Sequence, residues 1–179
     1  LTVPELDRIW NGWRSQYVNG GNARREAAAN GSVFTQILCS GLSDDECHIV
    51  RRGEHVFVIM NAFPYTSGHL MVLPYREIAA LEDLTPGEAA ELWATVTDAV
   101  IAVKAAYRPG GVNVGINLGV PAGGSISEHL HVHVVPRWSG DGNFMTAVAN
   151  ARTLPEPLAD SLHKLRAAWP QSGALSAEP

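Results

Sequence analysis

Three histidines stand at alternate positions in Glu128-His129-Leu130-His131-Val132-His133-Val134-Val135-Pro136-Arg137-Trp138. Only seven histidines occur in 179 residues, so this spacing arises by chance in about one such chain in a hundred and asks for a chemical reason. Imidazole titrates near neutrality; it can attack as a neutral base, carry a proton or bind a metal. Separated by aliphatic residues, the three rings should leave one face of a strand while Leu130, Val132 and Val134 enter the core on the other.

On residue types alone the triad supports three readings. Alternating histidines on a strand can offer two or three imidazoles to zinc. They can also serve phosphoryl transfer, one neutral imidazole attacking phosphorus while the others hold the developing charge. Or they can sit satisfied in an ordinary core, although clustered imidazoles disfavour protonation there and gain nothing in packing. The neighbours lean toward phosphoryl chemistry. Gly123, Gly124 and Ser125 can bring backbone N–H groups to phosphate oxygens, and Ser125 and Arg137 add donors. Glu128, the one acid beside the triad, reads as a solvated strand-edge charge or as a catalytic group.

The surrounding pattern must build the strand's neighbours. Ile49-Val50, His55 to Met60, His69 to Pro74 and Val112 to Leu118 read as strands, with turns at Arg51 to Glu54 and Asn61 to Gly68. Thr85-Pro86-Gly87-Glu88 is a capping box with proline at the first helical position, so a long helix starts there. Leu92, Val96, Ala99, Val103 and Ala106 form its apolar stripe, and Pro109-Gly110-Gly111 stops it. The Gly- and Ser-rich loop from Gly119 to Ser127 leads directly into the triad. An α+β class follows: an antiparallel β-meander sheet, one long covering helix and shorter terminal helices. Residues 1–32 read as a helical arm and flexible link, 33–150 as the domain, and 151–179 as a last amphipathic helix with a fraying tail.

Composition narrows the partners. A net charge of −5 and a pI near 5.8 argue against a broad nucleic-acid or acidic-membrane surface. Lys104 and Lys164 are the only lysines and neither follows a Gly-rich loop, which removes P-loop nucleotide hydrolases. Cys39 and Cys47 are too widely spaced for a redox pair, no stretch reaches membrane-spanning length, and the leader lacks a secretory pattern, so a cytoplasmic protein is expected. An antiparallel sheet leaves edges that one helix cannot cover, and a homodimer or larger homo-oligomer is expected.

His129-Leu130-His131-Val132-His133-Val134-Val135 matches the signature His-φ-His-φ-His-φ-φ, with φ apolar, and Gly68-His69 after a turn matches the upstream Gly-His strand of the same proteins. From about Val33 to Asn143 the chain resembles the histidine triad (HIT) superfamily. With Gly140-Asp141-Gly142-Asn143-Phe144 after Trp138, it is similar to the branch of actinobacterial diadenosine tetraphosphate phosphorylases. The resemblance implies a HIT-like fold and a nucleotidyltransferase that cleaves diadenosine tetraphosphate with inorganic phosphate to ATP and ADP through a nucleotidyl-histidine.

It implies His131 as nucleophile, His133 and His129 as its orienting and phosphate-stabilising partners, His69 as the site's fourth histidine and Asn61 as a ribose contact. A nucleobase pocket would form near Phe34, Ile37 and Ala62. Asn117, Gly124 and Ser125 would meet the α-phosphate and the entering or leaving group, with Arg137 and Trp138 close behind. Two departures stand out. Many members carry Cys-x-x-Cys for zinc where this chain has Ser32-Val33-Phe34-Thr35, so no metal is expected. The hydrolases of the superfamily carry glutamine where Ser125 stands, and a smaller side chain leaves room for phosphate as second nucleophile. No cofactor is required; Mg²⁺ would enter on the polyphosphate, since no carboxylate cage is present to hold it. The alternatives are a hydrolase of dinucleoside polyphosphates or nucleoside phosphoramidates, and a nucleotide-binding protein without turnover.

Overall fold

The computed structural model describes residues 31–124, 126–141 and 156–171. The amphipathic stretch read at 1–18, most of the link after it, Ser125, Gly142-Asn143-Phe144 and most of the tail lie outside the described residues.

Alternating apolar runs give the strands β1 (Ile49–Arg52), β2 (Val56–Met60) and β3 (Leu70–Pro74), which pair antiparallel in sequence order. A register shift between Ile49 and Arg51 interrupts the first pairing. Helix α1 (Val33–Leu38) precedes them, and helix α2 (Pro86–Tyr107) follows. Strands β4 (Gly111–Ile116) and β5 (Val132–Arg137) complete a five-stranded sheet in the order β1-β2-β3-β5-β4, so the last strand inserts beside β3 and leaves β4 at the edge. The closing helix is α3 (Leu158–Ala167).

The capping box at Thr85 is present as read: its hydroxyl accepts from the Glu88 N–H, and the Glu88 carboxylate accepts from the Thr85 N–H at 2.8 Å. Arg76 binds the same carboxylate at 2.7 and 2.9 Å and holds its pKa down to about 2. Tyr107 ends the helix, and Arg108 takes the left-handed conformation before Pro109.

Period two divides the core between the faces of the sheet. Val56, Val58, Leu70, Val72, Val132 and Val134 pack against Leu92, Val96, Ala99 and Val103 of α2 and against Leu162 and Leu165 of α3, so the C-terminal helix belongs to the same core. Each fully buried valine or leucine among them contributes about 1.5–3 kcal/mol. On the other face Phe57, Ile59, Met71 and Leu73 meet Phe34 of α1. That second face carries the histidines.

One expectation needs correction. The stretch from Glu128 to Trp138 is not one strand: β5 begins at Val132, and His129 and His131 precede it. The ladders explain this, because the pairing of β5 with both β3 and β4 ends at Val132. Without a neighbouring strand, the backbone bonds elsewhere, and the Leu130 N–H donates to the Ile78 carbonyl at 2.6 Å.

Candidate active site

His69 enters just before β3 and His133 lies in β5, two strands whose register pairs Met71 with His133. The two histidines are therefore diagonal neighbours, and His69 Nε2 lies 3.0 Å from His133 Nδ1. Their protons can be assigned from groups whose roles are fixed. The Tyr65 N–H donates to His69 Nδ1 at 3.2 Å. Asn61 Oδ1 accepts from the Phe63 N–H at 2.9 Å, which turns the Asn61 NH₂ toward the same Nδ1 at 3.4 Å. Nδ1 of His69 is thus an acceptor, and its Nε2–H donates to His133. A neutral His133 then carries its own proton on Nε2.

His131 is oriented the other way. Its Nδ1 lies 2.7 Å from the carbonyl oxygen of His129, and a carbonyl can only accept. Neutral His131 therefore holds its proton on Nδ1 and leaves a lone pair on Nε2, which makes no hydrogen bond among the described residues. The rings of His131 and His133 meet edge-on with centroids 4.9 Å apart. A nitrogen with a lone pair and an N–H donor are thus carried by two rings in contact.

His129 is occupied at both nitrogens. Nε2 donates to the Pro74 carbonyl at 2.8 Å, and Nδ1 accepts from the Ser32 hydroxyl at 2.7 Å. The residue is 1% exposed. Ser32 is the N-cap of α1, and the first turn also brings Phe34 edge-on to His129 and tilted against His131, both with centroids 5.5 Å away. The Ser32 N–H and the Thr35 hydroxyl converge on Glu77 Oε2 at 2.8 and 2.5 Å. Where a Cys-x-x-Cys would bring thiolates to zinc, this chain has two neutral hydroxyls already committed to His129 and Glu77. That donor set does not fit the ion.

Burial is the main electrostatic influence. It lowers the pKa of His129 and of His131, and with the neighbouring His131 it takes His133 down from 6.5 to about 4. At neutral pH the triad is uncharged. The opposing pull of the Pro74 carbonyl on His129, and of the His129 carbonyl on His131, is weaker than desolvation.

The other expected residues scatter around this centre. Asn61 and Phe34 touch the histidines. Ile37 is half-buried on α1, Ala62 is exposed in the loop after β2, and Asn117 is half-buried just beyond β4. Gly124 is buried where a Cβ would come within 3.1 Å of the Gly119 carbonyl oxygen and 3.2 Å of that of Asn117, so a side chain would press on the backbone. Its N–H, and that of Gly123, are turned back into the loop toward Gly119 and Val120, because the chain closes a tight 3₁₀ turn at Val120–Ala122. The expected use of those two amides for phosphate is therefore not seen. Ser125 lies outside the described residues.

Arg137 and Trp138 are not brought to the triad. Arg137 stands four residues beyond His133, about 13 Å along the strand. Its guanidinium is paired with Asp141 at 2.5 and 2.8 Å and bonded to Asn113 at 2.8 Å. Trp138 packs edge-on to Tyr107. Residues that the sequence reading gave no role at the site also enter. Tyr65 lies over His69 with centroids 4.6 Å apart, Glu77 anchors α1, and Ser32 bonds His129. The Ser32-x-x-Thr35 spacing signals a helix cap, but nothing local announces a partner 97 residues away.

Comparison with known proteins identifies the family that shares this fold. The model of the HIT domain family matches residues 43–140. An AP-4-A phosphorylase of Mycobacterium tuberculosis is 45% identical over 168 residues, covering 92% of this chain and 85% of that protein. A bis(5'-nucleosyl)-tetraphosphatase [asymmetrical] of Schizosaccharomyces pombe is 35% identical over 82 residues, covering 46% of this chain and 44% of that protein. Among solved structures, a HIT-like protein of Bartonella henselae superimposes with a TM-score of 0.64 at 25% identity, covering 78% of this chain and 96% of that one. With its triad, its upstream Gly68-His69 and a family match over more than half its length, the chain belongs to the HIT domain family.

Proposed function

We propose that this protein is a diadenosine tetraphosphate phosphorylase, a nucleotidyltransferase that converts the dinucleotide and inorganic phosphate to ATP and ADP. The observation that carries the reading is the tautomer of His131, whose Nδ1–H is held by the His129 carbonyl and whose Nε2 is left with a lone pair. That nitrogen attacks the α-phosphorus of one adenylyl group. A P–N bond forms, the P–O bond to the leaving ATP breaks, and the imidazole ring becomes cationic while its Nδ1–H stays on the carbonyl. His133 donates its Nε2–H to a phosphoryl or leaving oxygen, with His69 fixing the ring from behind. A phosphate oxygen then attacks the same phosphorus, the P–N bond breaks, ADP departs and His131 is neutral again.

The M. tuberculosis relative named AP-4-A phosphorylase, matched over most of both chains, supports this substrate. Asn61, which reaches His69, is our candidate for a ribose contact, and Phe34, which packs on His129 and His131, for the wall of the base pocket. Mg²⁺ enters on the polyphosphate, and the chain needs no resident cofactor. Free Cys39 and Cys47 suit a reducing cytoplasm. No helix among the described residues is long and apolar enough to cross a membrane. The protein acts as a homodimer through β4, an edge strand that exposes Val114 beside a groove of about 550 Å³ lined by Val100, Lys104 and Val112.

A hydrolase is the second reading, favoured by the partial match to the S. pombe tetraphosphatase. Product analysis by ion exchange separates the two. The phosphorylase gives ATP and ADP only when phosphate is present; ATP with AMP, or two ADP, formed regardless of phosphate makes water the acceptor and removes the proposal. Ser125→Gln should weaken phosphate dependence in favour of water, and an unchanged product ratio would remove Ser125 from acceptor choice.

A further inference from the structure

His131 is only as well placed as the carbonyl that holds its Nδ1–H, and that carbonyl belongs to a stretch outside the sheet. No strand ladder fixes residues 129–131. What fixes them is the Leu130 N–H on the Ile78 carbonyl at 2.6 Å and the His129 ring, pinned at one end by Pro74 and at the other by Ser32. Resting on the reading of His131 as nucleophile, we propose that Ser32, backed by Thr35 and Glu77, is a positioning residue that holds His131 in its attacking tautomer and place.

The chain of contacts is continuous. The Glu77 carboxylate accepts from the Ser32 N–H at 2.8 Å and from the Thr35 hydroxyl at 2.5 Å, which sets the first turn of α1. Ser32 Oγ accepts from the Thr35 N–H at 3.2 Å and gives its own proton to His129 Nδ1 at 2.7 Å. With Nδ1 so occupied, His129 must carry its proton on Nε2, where the Pro74 carbonyl of β3 takes it. Both bonds clamp the ring, the ring fixes its own main chain, and the main-chain carbonyl selects Nδ1–H on His131. Phe34, two residues after Ser32, closes over both rings. Ser32 is 1% exposed, so losing its hydroxyl leaves a buried imidazole nitrogen without a donor. His129 then gains only by rotating to bring that nitrogen to another donor, and the rotation releases the Pro74 bond. Helix α1, only six residues long, acts as the bolt that joins an acid just past the end of β3 to the reacting imidazole.

The test combines kinetics with imidazole ¹⁵N NMR of the full chain. Ser32→Ala should lower kcat between about 10- and 100-fold while KM for the dinucleotide stays within about twofold. Ser32→Thr, which restores the hydroxyl and the helix cap, should recover kcat to within about threefold. In the unmodified protein the spectrum should show His129 protonated on Nε2 and His131 on Nδ1, and in Ser32→Ala both should become tautomer mixtures. Wild-type kcat in folded Ser32→Ala would overturn the proposal, as would lost kcat with unchanged ¹⁵N shifts of the two histidines. If Ser32→Ala does not fold, Glu77→Ala, on the exposed side of the network, should show the same two changes, and its failure to show either counts against the bolt. His131→Ala separates the layers: continued adenylyl transfer in it sinks the nucleophile and the proposal together. An inactive His131→Ala beside a fully active Ser32→Ala removes only the positioning role.

Discussion

At the scale of single residues, three histidines of one type receive three different jobs from the atoms that hold them. A carbonyl leaves the Nε2 of His131 with a lone pair, the His69 N–H leaves His133 with an Nε2–H that can only hydrogen-bond, and bonds at both nitrogens make His129 a fixture. Attack requires neutral imidazole, and burial lowers the folded pKa values of all three, that of His133 to about 4. The working protonation state therefore survives below the ordinary histidine value of 6.5. The acid limb of kcat/KM for the dinucleotide should fall below pH 6, and a midpoint at or above 6.5 would contradict the burial argument. The same shift has a sign for stability. Between pH 4 and 6.5 the unfolded chain binds more protons than the folded one, so unfolding free energy should rise with pH across that window. The spacing of the triad was legible in the sequence because period two is a local property. The proton assignments were not, since they depend on the Pro74 carbonyl and Ser32 hydroxyl, 55 and 97 residues from His129.

At the scale of elements, the site depends on how chain segments enter and leave the sheet. Gly68 adopts φ +80° just before His69, and a Cβ there would lie 2.6 Å from Cε2 of Tyr107 at the end of α2. Tyr107 cannot yield freely, because its hydroxyl is bonded to Glu156, which also binds Lys164 of α3. Gly68→Ala should therefore destabilise the protein by about 2 kcal/mol, lowering Tm by about 5 °C, and displace His69 from His133. Unchanged Tm and kcat in calorimetry and assay would show that the contact relaxes without cost. The capping box and apolar stripe foretold α2, since both are written within one turn or one face. The start of β5 was misplaced because alternation continues back to His129, whereas strand pairing ends where β3 and β4 stop offering partners. Likewise, the glycines before the triad read as phosphate donors, but the 3₁₀ turn uses their amides.

At the scale of the whole molecule, two cores share one sheet: α2 and α3 cover one face, and the histidines with α1 occupy the other. This separation puts the imidazoles on one face while the first core packs the other. Its cost is an edge. Strand β4 has β5 on one side only, and Val114 is 44% exposed there. Sedimentation should therefore read a dimer, and Val114→Arg should shift it toward monomer; a wild-type monomer at micromolar concentration would contradict the proposed interface. The edge strand was foreseeable from an antiparallel sheet, but its identity was not, because placing β5 between β3 and β4 is a long-range choice.

Direct trapping shows whether Nε2 of His131 takes the adenylyl group. Diadenosine tetraphosphate is mixed with the protein without inorganic phosphate, quenched within milliseconds, and the digest is read by mass spectrometry under conditions that preserve P–N bonds. One adenylyl group is expected on the peptide carrying His131, absent in His131→Ala and discharged as ADP when phosphate is added. An adenylyl group on His129 or His133, or ATP release with no protein adduct at any time point, would contradict that role for His131.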